Sequence, residues 1–374
     1  MKILIAGDFC PQERVAKLIE QGAYEKIFSN VKPVIEQADF SLVNFETCIA
    51  SDIDKPIAKC GPNLKCTTKA IEVLKWAGFK GVTLANNHFR DYGDRAVTRS
   101  LTLFDEAGFK HVGGGNNIKE ASRTLFVNIQ AKTVAFINAC EHEFSIADEN
   151  HGGSNPLNPI QQYYAIKEAH EKADYVIVII HGGHEHYQLP SSRMQETYRF
   201  FVEAGADAVL NHHQHCYSGY EIYRGKPIFY GLGNFCFDND LKRNDIWNEG
   251  IMVQLKLDKK IEFEIYPYTQ CNDEPNVALM QGNKEGSFNL LLESLNNIIV
   301  NDQELKRYHK NWMDNTSVDY KVLFTPWSNR WLVAAFVRHL LPSFFIKKKR
   351  LLFFNFIACE AHRERVLDFL IKNK

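Results

Sequence analysis

The chain of 374 residues has no long apolar run. Its opening, MKILIAGDF, is too short for the apolar region of a secretory signal or for a membrane span. The apolar stretch at residues 331–346 is broken by Arg338, His339 and Pro342 and is also too short to span. An excess of charge is missing too. The formal net charge of -1 gives no whole-chain reason to expect a nucleic-acid partner. The nine cysteines show no framework spacing, and an odd, scattered set argues for reduced thiols in a cytosolic setting. On that ground Cys60 and Cys66, close across a short loop, are read as thiols. No G-x-S-x-G elbow is present, which disfavours a serine hydrolase of that type. The glycine-rich VGGGNN at 112–117 lacks both G-x-G-x-x-G and a following Lys-Ser/Thr, so it reads as a turn. Internal repeats and low-complexity segments are absent as well.

What is present is an ordinary globular composition, 45% hydrophobic and 24% charged. The length suits one large α/β domain with an appendage, or two domains. Charge is unevenly placed. From Lys321 onward there are 11 Lys/Arg against 3 Asp/Glu, which leaves 33 basic and 42 acidic residues before it.

Short apolar runs rich in β-branched and aromatic residues predict strands at 2–6, 40–43, 81–85, 125–129, 133–138, 175–180 and 208–210. Helices are predicted between them, at 12–21, 68–77, 94–107, 160–172 and 193–204. Gly78, Gly108 and Gly205 stand just past three of these, where helix-ending glycines belong. The alternation argues for a sheet covered by helices. Runs at 220–223, 227–230, 251–257 and 261–268 follow without helices between them and predict an antiparallel or mixed second sheet. After about Pro275 the pattern is helical. The domain reading is therefore 1–275, then a mainly helical, basic region 276–374.

Each apolar run hands over to polar groups. KILIAGD ends on Asp8, and SLVNFE on Asn44 and Glu46. GVTLANNH ends on Asn87 and His88, YVIVIIHGGHEH on His181, His184, Glu185 and His186, and DAVLNHHQH on His212, His213 and His215. In open α/β sheets such carboxyl ends gather at one edge, where ligands bind. Imidazole suits transition metals, while carboxylate and amide oxygens add harder donors. The mixed set suits two adjacent divalent ions with a carboxylate between them. His213 and His215, two apart in an extended segment, point to one side. Taken singly, Asp8 also suits a helix cap and each histidine a structural role. Joint occurrence at five strand ends favours a site.

These motifs resemble the CapA/PgsA family of bacterial capsule and poly-γ-glutamate synthesis proteins, itself similar to the calcineurin-like metallophosphoesterases. The matching stretches are GDF at 7–9, NFE at 44–46, LANNHFRDYG at 84–93 and GGGNN at 113–117 with Glu120 and Ala121. HGGHE at 181–185, AGADAVLNHHQH at 204–215 and KPIFYGLGNFCFD at 226–238 follow. The resemblance covers about residues 1–270. It implies a four-layer α/β/β/α sandwich of two mixed sheets, here with a C-terminal helical extension. It implies two divalent metal ions (Mn, Fe or Zn) held by Asp8, Glu46, Asn87, His181, His213 and His215, with Glu46 bridging. It makes His88 the catalytic companion, Asn44 a ligand or a neighbour of one, and Glu185 an orienting carboxylate. Asn234 would line the substrate pocket or serve as a turn residue. There are departures. The superfamily often begins D-x-H, and Cys10 stands at the third position, so Cys10 or a water must complete one metal's ligands. The glycine usual before H-H-x-H is Asn211, and the serine usual before LGN is Gly231. The N-terminal membrane anchor frequent in the family does not open this sequence.

The resemblance implies a metal-dependent phosphoesterase in cell-surface polysaccharide or poly-γ-glutamate metabolism, acting on a phosphoester or polymer-linked substrate. Two rivals stand beside it: an amide-bond enzyme on a γ-glutamyl polymer, and a non-catalytic subunit of a synthesis or export complex. The expected location is cytoplasmic. Residues 331–357, with the basic cluster 347–350, are either a helical pair packed on the main domain or a peripheral contact. In the second case they meet the inner face of the membrane or a synthesis complex.

Overall fold

The computed structural model describes residues 1–323, 329–342, 349–350, 352–353, 357 and 370. The chain falls into two compact units, Met1–Lys306 and Arg307–Lys374.

Within the first unit, strand Lys2–Cys10 is the centre of an eight-stranded sheet. Phe40–Phe45, Gly81–Thr83 and Lys110–Val112 extend it in parallel on one side. On the other side Glu249–Leu257, Ile261–Gln270 and Val277–Leu279 add antiparallel strands. Asn234–Phe237 pairs in parallel with the far end of Lys2–Cys10. A six-stranded sheet runs in the order Tyr220–Tyr223, Lys226–Phe229, Ala208–His212, Tyr175–His181, Lys132–Cys140, Leu125–Ile129.

Period-two alternation explains how the layers stack. Ile3, Ile5, Phe40 and Leu42 of the first sheet share one core with Val134, Phe136, Ile177, Ile179 and Leu210 of the second. The intervening Leu4, Ala6 and Val43 face the other way. There they pack with Val15 and Ile19 of helix Glu13–Glu20, Leu74 of Lys69–Ala77 and Phe104 of Gly93–Ala107. Helices Pro159–Lys172 and Ser192–Ala204 cover the outer face of the second sheet. The result is the expected α/β/β/α sandwich. Gly78 and Gly108, at φ +97° and +80°, end two of these helices as their positions predicted.

The four late strands do not form a sheet of their own. Tyr220–Tyr223 and Lys226–Phe229 finish the six-stranded sheet, whereas Glu249–Leu257 and Ile261–Gln270 pair beside Lys2–Cys10. A strand's apolar pattern fixes which face is buried, not which partner it takes. The sheet also runs on past Pro275, because Val277–Leu279 adds a strand too short to carry a periodic signal. Helix Asn283–Ile299 then packs Phe288 and Leu292 into the inter-sheet core.

In the second unit, helix Arg330–Val337 is capped by Asn329, whose Oδ1 accepts from the Trp331 amide at 2.9 Å. It buries none of its residues, and Trp331 is 70% exposed. Much of the predicted stretch 331–357, including part of the basic cluster 347–350, lies outside the described residues. Among the described residues no helix is long and apolar enough to cross a membrane.

Candidate metal centre

Both sheets end at one edge, and register sets what stands there. Asp8 is level with Asn44 on one neighbour and with Asn234 on the other. His181 is level with His212 and with Cys140. Pairing slips at Asp8 on both sides, a bulge that re-aims the carboxylate away from regular alternation. Beyond Ala208–His212 the chain turns sharply. His213 and His215 hold φ of +87° and +54°, left-handed values that are costly for a histidine and typical of functional sites. The two histidines are therefore not on an extended strand as predicted, yet both rings reach the same edge.

Two groups of donors form there. Asp8, Glu46 and His215 make one, and Glu46, His181 and His213 the other, with donor atoms in each within 4.8 Å of one another. Glu46 belongs to both. His181 Nε2 lies 3.1 Å from Asn87 Oδ1, 3.1 Å from His213 Nδ1 and 3.5 Å from Glu46 Oε1. His215 stands 3.8 Å from both Asp8 Oδ2 and Glu46 Oε1. Donors at about 2.1 Å from a tetrahedral ion are roughly 3.4 Å apart, so these spacings fit a cation. The Glu46 carboxylate is fully buried, and among the described residues neither of its oxygens has a hydrogen-bond partner. Two such orphaned oxygens are expensive unless a cation or a proton meets them. The residues present thus fit bound metal.

Electrostatics agree. Burial works against the Asp8 charge, but His212, His181 and His215 outweigh it, and the carboxyl stays below the usual carboxylate range. Burial, then the charge of Asp8, pushes Glu46 well above that range. Burial lowers His181 well below the ordinary histidine value and brings His215 down to about 4. Neutral imidazoles are what a metal requires, and a cation would offset the burial and the like charge that raise Glu46.

The remaining candidates divide. Asn44 is not aimed as a ligand: its Nδ2 lies 2.7 Å from Asp8 Oδ1 and 3.2 Å from His181 Nδ1, while Thr83 and Asn86 donate to its oxygen. Asn234 is fully buried in a strand, not in a turn. Its Oδ1 meets His215 Nδ1 at 2.9 Å and its Nδ2 donates to the carbonyls of His215 and Trp247, so it holds His215 instead of facing a ligand. Cys10 enters neither group and packs with Phe237 and Trp247, with burial raising its thiol pKa. Glu185 is exposed and adds negative charge beside Glu46 and His215 from outside both groups.

Asn86 stitches its loop to the sheet, donating to the Phe45 carbonyl at 2.9 Å and accepting from the His88 amide at 3.0 Å. Asn87 turns its amide oxygen to His181. His88 belongs to neither group, and its Nδ1 lies 2.6 Å from Asp91 Oδ2. The buried Lys59 ammonium pairs with Asp91 and stands 3.2 Å from the same ring nitrogen.

Sequence reasoning gave no role to Asp91, Lys59 or Glu143. His212 was named at its strand end but given no role; its Nδ1 is 3.1 Å from Asp8 Oδ1. The H-H-x-H spacing signals His212 and DYG signals Asp91. Glu143 stands in EHE, directly after the apolar run ending at Cys140.

Two facing mixed sheets, helices on both outer faces and metal-type donors at one shared edge define the class: a four-layer α/β/β/α sandwich with a candidate metal centre at the sheets' common end. Within it, the profile described as bacterial capsule synthesis protein PGA_cap matches residues 2–239, and the chain belongs to that family. It is 30% identical over 265 residues to the capsule biosynthesis protein CapA of Bacillus anthracis, across 69% of this chain and 64% of that protein. It is 31% identical over 267 residues to the PGA biosynthesis protein CapA of Bacillus subtilis, across 70% of this chain and 69% of that protein. The match thus spans just under two thirds of the first relative. Among solved structures, a phosphatase of Mycoplasma pneumoniae superposes with a TM-score of 0.46 at 16% identity, over 73% of this chain and 95% of that one.

Proposed function

We propose that the chain is a metal-dependent phosphoesterase serving capsule or poly-γ-glutamate metabolism. The observation that carries this reading is the buried Glu46 carboxylate, common to two donor groups and without a hydrogen-bond partner among the described residues. Asp8, Glu46 and His215 would hold one divalent ion, and Glu46, Asn87, His181 and His213 the other. Such a pair supplies Lewis acidity for a phosphoryl oxygen and lowers the pKa of a water. The chain's own side chains do the rest. Asn44 and His212 fix the Asp8 carboxylate. Asn234 and the rings of Trp247 and Phe237, at 4.7 and 5.5 Å, fix His215. Asp91 holds the His88 Nδ1 side, leaving Nε2 to give a proton to the leaving oxygen.

The test is hydrolysis of nitrophenyl phosphomonoester, nitrophenyl phosphodiester and γ-glutamyl peptide by the purified chain. At least one phosphoester should be cleaved, with activity lost to a chelator, restored by Mn(II) and absent in Glu46→Gln. Cleavage of the γ-glutamyl peptide alone would make it an amide-bond enzyme. Bound metal with no cleavage of any substrate would make it a non-catalytic subunit.

A further inference from the structure

We infer that Glu143 is a positioning residue that turns two proposed metal ligands, Asn87 and His213, to face the centre. The inference rests on the two-ion reading above. Glu143 follows strand Lys132–Cys140, whose last residue is level with His181, so its loop lies over the second donor group. Its Oε2 accepts from Asn87 Nδ2 at 3.3 Å, and its Oε1 lies 3.7 Å from His213 Nε2.

The chemistry of the two partners makes this placement matter. An amide has one accepting end and one donating end, and only the oxygen can bind a cation. The Asn87 backbone carbonyl is tied to Ser145 Oγ at 2.8 Å and Lys59 Nζ at 3.4 Å. Those bonds place the residue without deciding which end of its side-chain amide turns inward. Glu143 decides it: an ionised carboxylate only accepts, so the NH2 turns to Glu143 and Oδ1 to His181 Nε2. His213 poses the same choice between its two ring nitrogens. At 3.7 Å the contact is too long for a hydrogen bond, but a carboxylate there favours the proton on Nε2. That leaves the Nδ1 lone pair facing His181 Nε2, 3.1 Å away. One acceptor thus selects both the amide orientation and the imidazole tautomer.

The discriminating variant is Glu143→Gln. The glutamine has nearly the same shape but one donating end, so whichever way it lies, one of the two partners meets a donor. Glu143→Ala leaves both partners to water, which can serve either orientation. Metal-free parent and variants, each checked for native circular dichroism, are titrated with Co(II) by calorimetry and visible absorption. The parent should take up two equivalents. Glu143→Gln should keep the equivalent at Asp8, Glu46 and His215, and weaken the other by about 10–100-fold, the usual effect of losing a residue that orients a ligand. Glu143→Ala should weaken it no more than Glu143→Gln does. The inference is overturned if Glu143→Gln binds both equivalents like the parent. It is equally overturned if Glu143→Ala is much the worse of the two, as simple space-filling would give. If the parent itself binds no Co(II), the two-ion reading fails first, and this inference with it.

Discussion

Asn87 and His88 are neighbours in sequence with separate tasks. The Asn87 amide oxygen points at His181, within the donor cluster, whereas His88 is anchored to Asp91 outside it. His88→Ala should therefore keep metal and fold and lose on the order of 10²–10⁴ in turnover, the range for a general acid. The loss should shrink with nitrophenolate, a leaving group that needs little protonation. Asn87→Ala should instead lower metal content. Elemental analysis beside steady-state rates separates the two, and equal metal loss in both variants would refute the division. A second residue-scale consequence concerns acid. His215 is brought down to about 4 by burial in the folded chain, while an unfolded histidine titrates near 6.5. Between those values the unfolded state binds more protons, so this contribution to the stability of metal-free protein is full above about 6.5 and is lost as pH falls toward 4. His181 shifts in the same direction. Thermal melts of metal-free His215→Asn between pH 6.5 and 4.5 should show a shallower loss than the parent, and an identical slope would contradict the burial argument.

Strand Lys2–Cys10 is the element on which the centre depends, and Gly7 is its tightest point. A Cβ there would fall 1.9 Å from the Gly233 carbonyl oxygen, a backbone atom that cannot swing aside. The closeness lets the Asp8 amide donate to that same oxygen at 3.1 Å and keeps Asn234 level with Asp8. Gly7→Ala must push the two segments apart. It should cost on the order of 1–3 kcal/mol, as overpacking does, and lower metal content by displacing Asp8. Denaturant unfolding and elemental analysis check both, and a variant with parental stability would show the approach to be loose. Elements such as this strand were legible because β-branched runs and helix-stop glycines are local signals, and Leu125–Ile129 and Tyr220–Tyr223 fall on their predicted bounds. Asn234–Phe237 was not, since four residues after two glycines carry no period.

Across the whole molecule, the donors were readable because each follows an apolar run, and strand ends share an edge in this architecture. Two things lay beyond the sequence. Sorting of the late strands between sheets depends on long-range pairing, which no local pattern encodes. A group such as Glu143 looks like an ordinary polar residue until the fold sets it 3.3 Å from the Asn87 amide, and the contacts by which Asn44 and Asn234 hold their neighbours likewise appear only in the fold. On the proposed function, one carboxylate, Glu46, joins the carboxyl edges of the two sheets and is shared by two ions. The most direct measurement is an anomalous-scattering crystal structure of the chain loaded with Mn(II). Two peaks should flank Glu46, one with Asp8 and His215 and the other with Asn87, His181 and His213. Absence of any peak at Glu46 after loading, or a single ion bound without it, would rule out a shared Glu46.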